Sequence, residues 1–298
     1  MSDTALPSID LHGVEGAVRA AIDRGSNESL RLLGHGEISL VLAWPTAAPV
    51  AALKRVPPFR SRTAAQQYVA VCHDFFARLA DVGVPFLPTE LHLLERADGR
   101  AVVYHQQPIA DATQLGSNIL RNAEPADGHP LLDAIVDAAA KVCTPTLGFD
   151  VQVANWLWDG TTATQIDFTS PFSLTADRKE MTYDSHVFLQ EYPVLLRPYL
   201  KRELTSLVHR FTTAEGALGD LVGNLFKEGL DQWVDPAIAT INSRAGLSLD
   251  RATARKMYDD DRTLLPLVFK LKKAQRWWLT HTGRHYESLL PAHTTYGK

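Results

Sequence analysis

Asp150 stands in the run Gly148-Phe149-Asp150-Val151-Gln152-Val153-Ala154-Asn155, five positions ahead of Asn155, and an apolar strand pattern follows as far as Trp158. Asp167 comes twelve positions after Asn155, in Thr164-Gln165-Ile166-Asp167-Phe168. One loop and one strand end would then converge, bringing together two carboxylates and an amide. That set suits phosphoryl transfer, which asks a protein to hold nucleotide phosphates, place magnesium and orient an acceptor hydroxyl. In such a scheme Asp150 accepts the acceptor's proton, while Asn155 and Asp167 supply hard oxygen ligands to Mg2+. An Asp-X4-Asn pair alone is common by chance. The hairpin ending in Asp-Phe, with a lysine well upstream, makes chance a poor account.

The lysine is Lys54, inside the apolar run 50–56. It follows Gly34-His35-Gly36, where glycines at a strand turn let backbone N–H groups approach phosphate oxygens closely. One strand later, Lys54 would meet the α- and β-phosphates as a point charge. Each feature has a plainer reading. A Gly-X-Gly hairpin more often binds nothing, and a strand lysine often points at solvent. Their order along the chain favours function.

These residues need a scaffold. Val14 to Asp23 has helical spacing. Leu30–Leu33, Ile38–Trp44 and the run 49–56 are short apolar stretches separated by turn residues and read as an antiparallel meander. Ser61 to Ala80 places Tyr68, Val71, Cys72, Phe75, Phe76 and Leu79 at helical spacing with no breaker. Leu91–Leu94 and Ala101–Gln106 form two more strands around Asp98-Gly99. After about Asp111 the pattern becomes helical, over Leu131–Val142, Arg202–Phe211, Leu218–Leu230 and Leu267–Leu279, interrupted by the strands Val153–Trp158 and Thr164–Phe168. Pro193 and Pro198 should break the apolar run 189–200. The expected fold is α+β and two-lobed: a small antiparallel β-rich lobe with one long helix (residues 1–108), then a larger, mostly helical catalytic and substrate lobe (109–298).

The chain has 298 residues, 45% hydrophobic and 21% charged, with a formal net charge of −4. That is ordinary for a globular protein with a sizeable core. It offers nothing to recruit nucleic acid or an anionic membrane. No apolar run reaches the roughly 20 residues that span a bilayer, and Met1–Asp10 does not read as a signal peptide. The cytoplasm is the expected location. Cys72 and Cys143 read as free, small hydrophobes. There is no Gly-X-Ser-X-Gly elbow and no Walker-type loop.

With these residues in order, the chain resembles the protein-kinase-like superfamily, and more its aminoglycoside phosphotransferase and choline kinase branch than the eukaryotic protein kinases. It also resembles an uncharacterised bacterial kinase-like family. The motifs cover about residues 30–175. The resemblance implies ATP and Mg2+ as cofactors. It makes Gly34, His35 and Gly36 the nucleotide-covering loop and Lys54 the third-strand lysine. It makes Gln106, Gln107 and Ile109 part of the hinge whose backbone meets the adenine. Asp150 and Asn155 match the catalytic loop, and Asp167-Phe168-Thr169 matches the Asp-Phe-Gly segment. The departures are Ser39 for a third loop glycine, Gly148 for a histidine, and Thr169 for the last glycine. The helix 61–80 also lacks the glutamate that usually pairs the lysine, leaving Asp74 or Glu90 as substitutes.

The expected activity is transfer of the terminal phosphoryl group to a small-molecule hydroxyl. The alternatives are a Ser/Thr kinase acting on a peptide, and a catalytically silent nucleotide-binding pseudokinase. The acidic run Asp259-Asp260-Asp261 reads first as a solvated face and second as a wall receiving a cationic substrate. Trp277 and Trp278 read as core packing of a late helix.

Overall fold

The computed structural model describes residues 6–35, 40–125, 128–283 and 286–288, with the side chains of 35, 257 and 260–269 outside that description. Helix α1 (Leu11–Arg24) is capped by Asp10, whose carboxylate accepts from Gly13 N at 3.0 Å, and ends at Gly25 in the left-handed region. Strands β1 (Leu32–His35), β2 (Leu40–Trp44) and β3 (Ala51–Arg55) follow, then α2 (Arg62–Asp81), β4 (Glu90–Glu95) and β5 (Ala101–Gln107). The sheet is antiparallel in the order β1-β2-β3-β5-β4, so β3 and β5 lie inside it. Ser61 caps α2 by accepting from Ala64 N.

The second part holds α3 (Gly116–Asn122) and α4 (Pro130–Val142), then the hairpin of β6 (Trp156–Trp158) and β7 (Ala163–Gln165). After it come α5 (His186–Leu189), α6 (Arg197–Phe211), α7 (Ala214–Lys227), α8 (Val234–Ala245) and α9 (Arg251–His281). Pro198 lies in the first turn of α6, where its missing N–H costs nothing. The fold is therefore α+β: a small antiparallel sheet with one long helix, followed by a mainly helical part.

Two cores divide the work. One runs continuously from α2 and the inner face of the sheet into α4, α7 and α8. The other lies on the outer face, where Val14, Val18, Ala21 and Ile22 of α1 cover Leu42, Leu53, Val102 and Tyr104. That outer layer encloses an ionic cluster. Arg55 holds Glu15 with two hydrogen bonds of 2.8 Å, and Tyr104 donates to the same carboxylate at 2.6 Å. From the far end of the chain, Glu287 bonds Arg96 and Arg100, each at 2.7 Å, and its carbonyl accepts from Arg55 at 2.9 Å.

Helix α9 spans 31 residues, about 46 Å at 1.5 Å per residue. It packs on α7 and α8, pairs Lys272 with Glu191 at 2.8 Å and reaches α1 through Arg276 and Ile22 O. Apolar periodicity in the sequence shows only its second half, Leu267–Leu279. Trp277 and Trp278 are exposed, by 62% and 43%, which corrects the expectation of core packing. Both fall on the last turns of α9, and Trp277 packs on His281 one turn ahead.

Candidate active site

Strand alternation sorts the residues. Across β3 and β5, Lys54 pairs with His105 and Ala52 with Gln107, while Arg55 pairs with Tyr104 and Leu53 with Gln106. Cross-strand partners share a face. Lys54, His105 and Gln107 therefore line the inner face, beneath α2. Arg55, Tyr104 and Gln106 belong to the outer face.

Lys54 Nζ donates to the Ile166 carbonyl at 2.8 Å and lies 3.2 Å from Asp167 Oδ1. Gln107 Nε2 donates to the same carbonyl at 3.0 Å. The carboxylate beside Lys54 is thus Asp167 itself. Asp74 is exposed on α2, and Glu90 lies near His92 on the edge strand. Asp167 Oδ1 also accepts from the backbone N and the hydroxyl of Thr169, at 3.0 and 2.8 Å. Burial pushes its carboxyl up, but Lys54 and these two donors outweigh that and hold it below the ordinary 3.8. Its side chain is 30% exposed against 8% for Lys54, so the carboxylate keeps access from one side.

Gln165 brings the two halves of the site together. It is fully buried, and its Nε2 donates to the carbonyls of Asp150 (3.1 Å) and Asp167 (3.3 Å). The amide of Ile166 donates to the Asn155 carbonyl at 2.9 Å. Asp150, Asn155 and Asp167 are thereby joined through one glutamine and one peptide. Asp150 Oδ1 accepts from Gln152 N at 3.1 Å, closing a tight turn after the aspartate. The Gln152 side chain reaches Asp220 on α7 at 3.3 Å, and Asn224 bonds the same oxygen. A carboxylate and an amide oxygen are the hard donors that Mg2+ accepts alongside phosphate and water. Asp167 and Asn155 carry donors of that kind.

Phe168 anchors the segment beneath α2, edge-on to Phe76 at 5.1 Å and to Phe86 at 5.8 Å. Gly148 has a packing reason. Its amide donates to Phe172 O at 2.7 Å, and a Cβ there would stand 2.7 Å from the Phe211 carbonyl carbon. No histidine fits in that space.

At the strand end, Gln106 lies between Leu53 and Glu90 in adjoining ladders. Its backbone groups are flanked by a neighbouring strand on either side. Its side chain bonds Pro7 O and His92, both at 2.7 Å. Gly34 and the backbone of His35 close β1, at a register shift against β2. Gly36 and Ser39 lie outside the described residues. Asp259 sits on an exposed face of α9, paired with Arg255 at 3.2 Å, and the side chains of Asp260 and Asp261 lie outside the described residues. Gln165, Tyr68 and His105 carry site contacts that sequence reasoning did not assign. Tyr68 was visible there only as one apolar position of α2.

The fold is thus an α+β arrangement in which a small antiparallel sheet bears Lys54 and the part that follows it sets Asp167 against that lysine. Residues 13–276 match a family described as a family of unknown function (DUF6206), and the chain belongs to that family. No curated protein matches the sequence. Among solved structures the chain is similar to WaaP in complex with acyl carrier protein, at 13% identity and a TM-score of 0.38, over 88% of this chain and 92% of that one. It is also similar to the kinase domain of M. tuberculosis PknI, at 18% identity and a TM-score of 0.28, over 73% of this chain and 94% of that one. Among the described residues, no helix is long and apolar enough to cross a membrane.

Proposed function

We propose that the chain is a phosphotransferase that moves the terminal phosphoryl group of ATP, carried with Mg2+, to a hydroxyl acceptor. The observation that carries this reading is the convergence of Lys54 on Asp167 at 3.2 Å, with Asp150 tied to the same segment through Gln165. The lysine lies 112 positions ahead of Ile166, whose carbonyl it bonds next to Asp167.

In this reading Asp150 orients the acceptor hydroxyl and takes its proton as the new bond to phosphorus forms. Lys54 and the segment Gly34-His35-Gly36 hold the phosphates. Asp167 and Asn155 hold Mg2+, which when bound neutralises charge on the phosphate oxygens. The phosphates would compete with Asp167 for Lys54, so nucleotide binding exchanges one ionic partner for another. A small-molecule hydroxyl is the first choice of acceptor and a peptide serine or threonine the second. If the run 259–261 receives a cationic acceptor, Asp259 must first leave Arg255.

Calorimetry with ATP, in MgCl2 and in EDTA, tests the reading on wild type and Asp167→Asn. The expected result is Mg2+-dependent binding that the variant loses. Unchanged binding in the variant overturns the metal role. No binding of ATP or GTP by the wild type overturns the whole proposal. Intact binding with no transfer to water or to any acceptor would assign the chain to the silent nucleotide-binding class.

A further inference from the structure

Tyr68 projects from α2 into the space beside Asp167, where that helix offers no carboxylate. Its hydroxyl lies 3.0 Å from the Thr169 carbonyl and 2.7 Å from His105 Nε2. Tyr68 and His105 are fully buried, and Thr169 is nearly so. A phenol carries one proton, and a carbonyl can only accept. Tyr68 therefore donates to Thr169, and the contact with His105 is an imidazole N–H donating to the phenol oxygen. This assignment satisfies both neighbours and fixes His105 as the neutral Nε2–H tautomer. Nδ1 is then left as an acceptor without a hydrogen-bond partner. Burial first, and the Lys54 charge second, push the imidazole down to about 3, which keeps it neutral.

We propose that Tyr68 and His105 form a positioning pair that holds the 167–169 segment so that Asp167 can meet a nucleotide-bound cation. The inference rests on the phosphotransferase reading. The path is continuous: His105 on β5 donates to Tyr68 on α2, Tyr68 donates to the Thr169 carbonyl, and Thr169 donates twice to Asp167 Oδ1. Asp167 in turn meets Lys54 on β3. A neutral chain through the backbone thus joins helix, sheet and metal-side loop. An acidic residue on α2 would instead join the helix to Lys54 directly. Because the chain ends on Asp167, its loss is felt where the cation is held and not where the nucleotide is covered.

The test compares ATP affinity in MgCl2 and in EDTA for wild type, Tyr68→Phe, His105→Leu and His105→Gln. Tyr68→Phe keeps the ring packed against Phe59 and Tyr183 and removes both the donor to Thr169 and the acceptor for His105. It should weaken Mg2+-ATP binding by about tenfold, the scale of one buried hydrogen bond, and leave binding in EDTA unchanged. His105→Leu should behave alike, and the pair combined should cost no more than either alone. His105→Gln keeps an N–H and should bind as wild type does. Equal weakening in MgCl2 and EDTA, or no weakening in Tyr68→Phe and His105→Leu, overturns the positioning role while leaving the phosphotransferase reading intact. A wild type that binds no nucleotide under either condition overturns both.

Discussion

Replacing Asp150 by asparagine keeps the turn to Gln152, since the amide oxygen can still accept, but removes the base. Binding of Mg2+-ATP should persist while transfer to the acceptor falls by about 10²–10⁴-fold. A coupled phosphoryl-transfer assay beside calorimetry checks both halves, and near-normal turnover would reject Asp150 as the proton acceptor. Asp150, Asn155 and Asp167 are legible in the sequence because their spacing is local, and Lys54 because a lysine inside an apolar strand run stands out. Gln165 and Tyr68 are not. Their work lies in contacts with residues 15 and 101 positions away, and nothing in a glutamine on a strand or a tyrosine on an apolar helix face announces such a partner. The missing helix glutamate was legible as an absence. What stands in the space beside Asp167 required the packing of α2.

At the level of elements, α1 is held by a charge as well as by its apolar stripe. Burial pushes the Glu15 carboxyl up, but the Arg55 fork and the Tyr104 hydroxyl outweigh it and leave the carboxyl below its ordinary 4.5. A carboxylate held low in the folded state contributes stability above its unfolded pKa, and that contribution is lost as pH falls through the folded value. Glu15→Gln strands the buried Arg55 charge and should cost about 3–5 kcal/mol at neutral pH, measured by urea unfolding. Below pH 4.5 the wild type should lose stability that the variant has already lost, so the two curves converge. Parallel curves would remove Glu15 from this role. The pairing is not legible in the sequence, because Glu15 sits in an otherwise ordinary amphipathic helix. Helix α2 and the sheet strands were readable from periodicity alone. Helices α3 and α8 were passed over: α3 is one short segment, and α8 has Pro236 in its first turns, a residue that reads as a breaker. Strand β7 ends at Gln165, short of the expected Phe168, because Lys54 and Gln107 take the Ile166 carbonyl that would have continued the ladder.

Across the whole molecule, the last described residues complete the first lobe. Glu287→Ala should raise amide hydrogen exchange in β3 and β5 selectively, leaving α7 and α8 protected, since local opening follows local stability. Uniform loss of protection would mean that the cluster serves the fold in general and not the sheet. Arg55 waits for a partner 232 positions later and Arg96 for one 191 positions later. Domains commonly fold one after another as they leave the ribosome, the N-terminal one first. This sheet cannot do so in full. Its arginines find Glu15 and Asp98 nearby in the chain, but Glu287 reaches them only after the helical part has been made, so the sheet that holds Lys54 reaches its final form after the part that follows it.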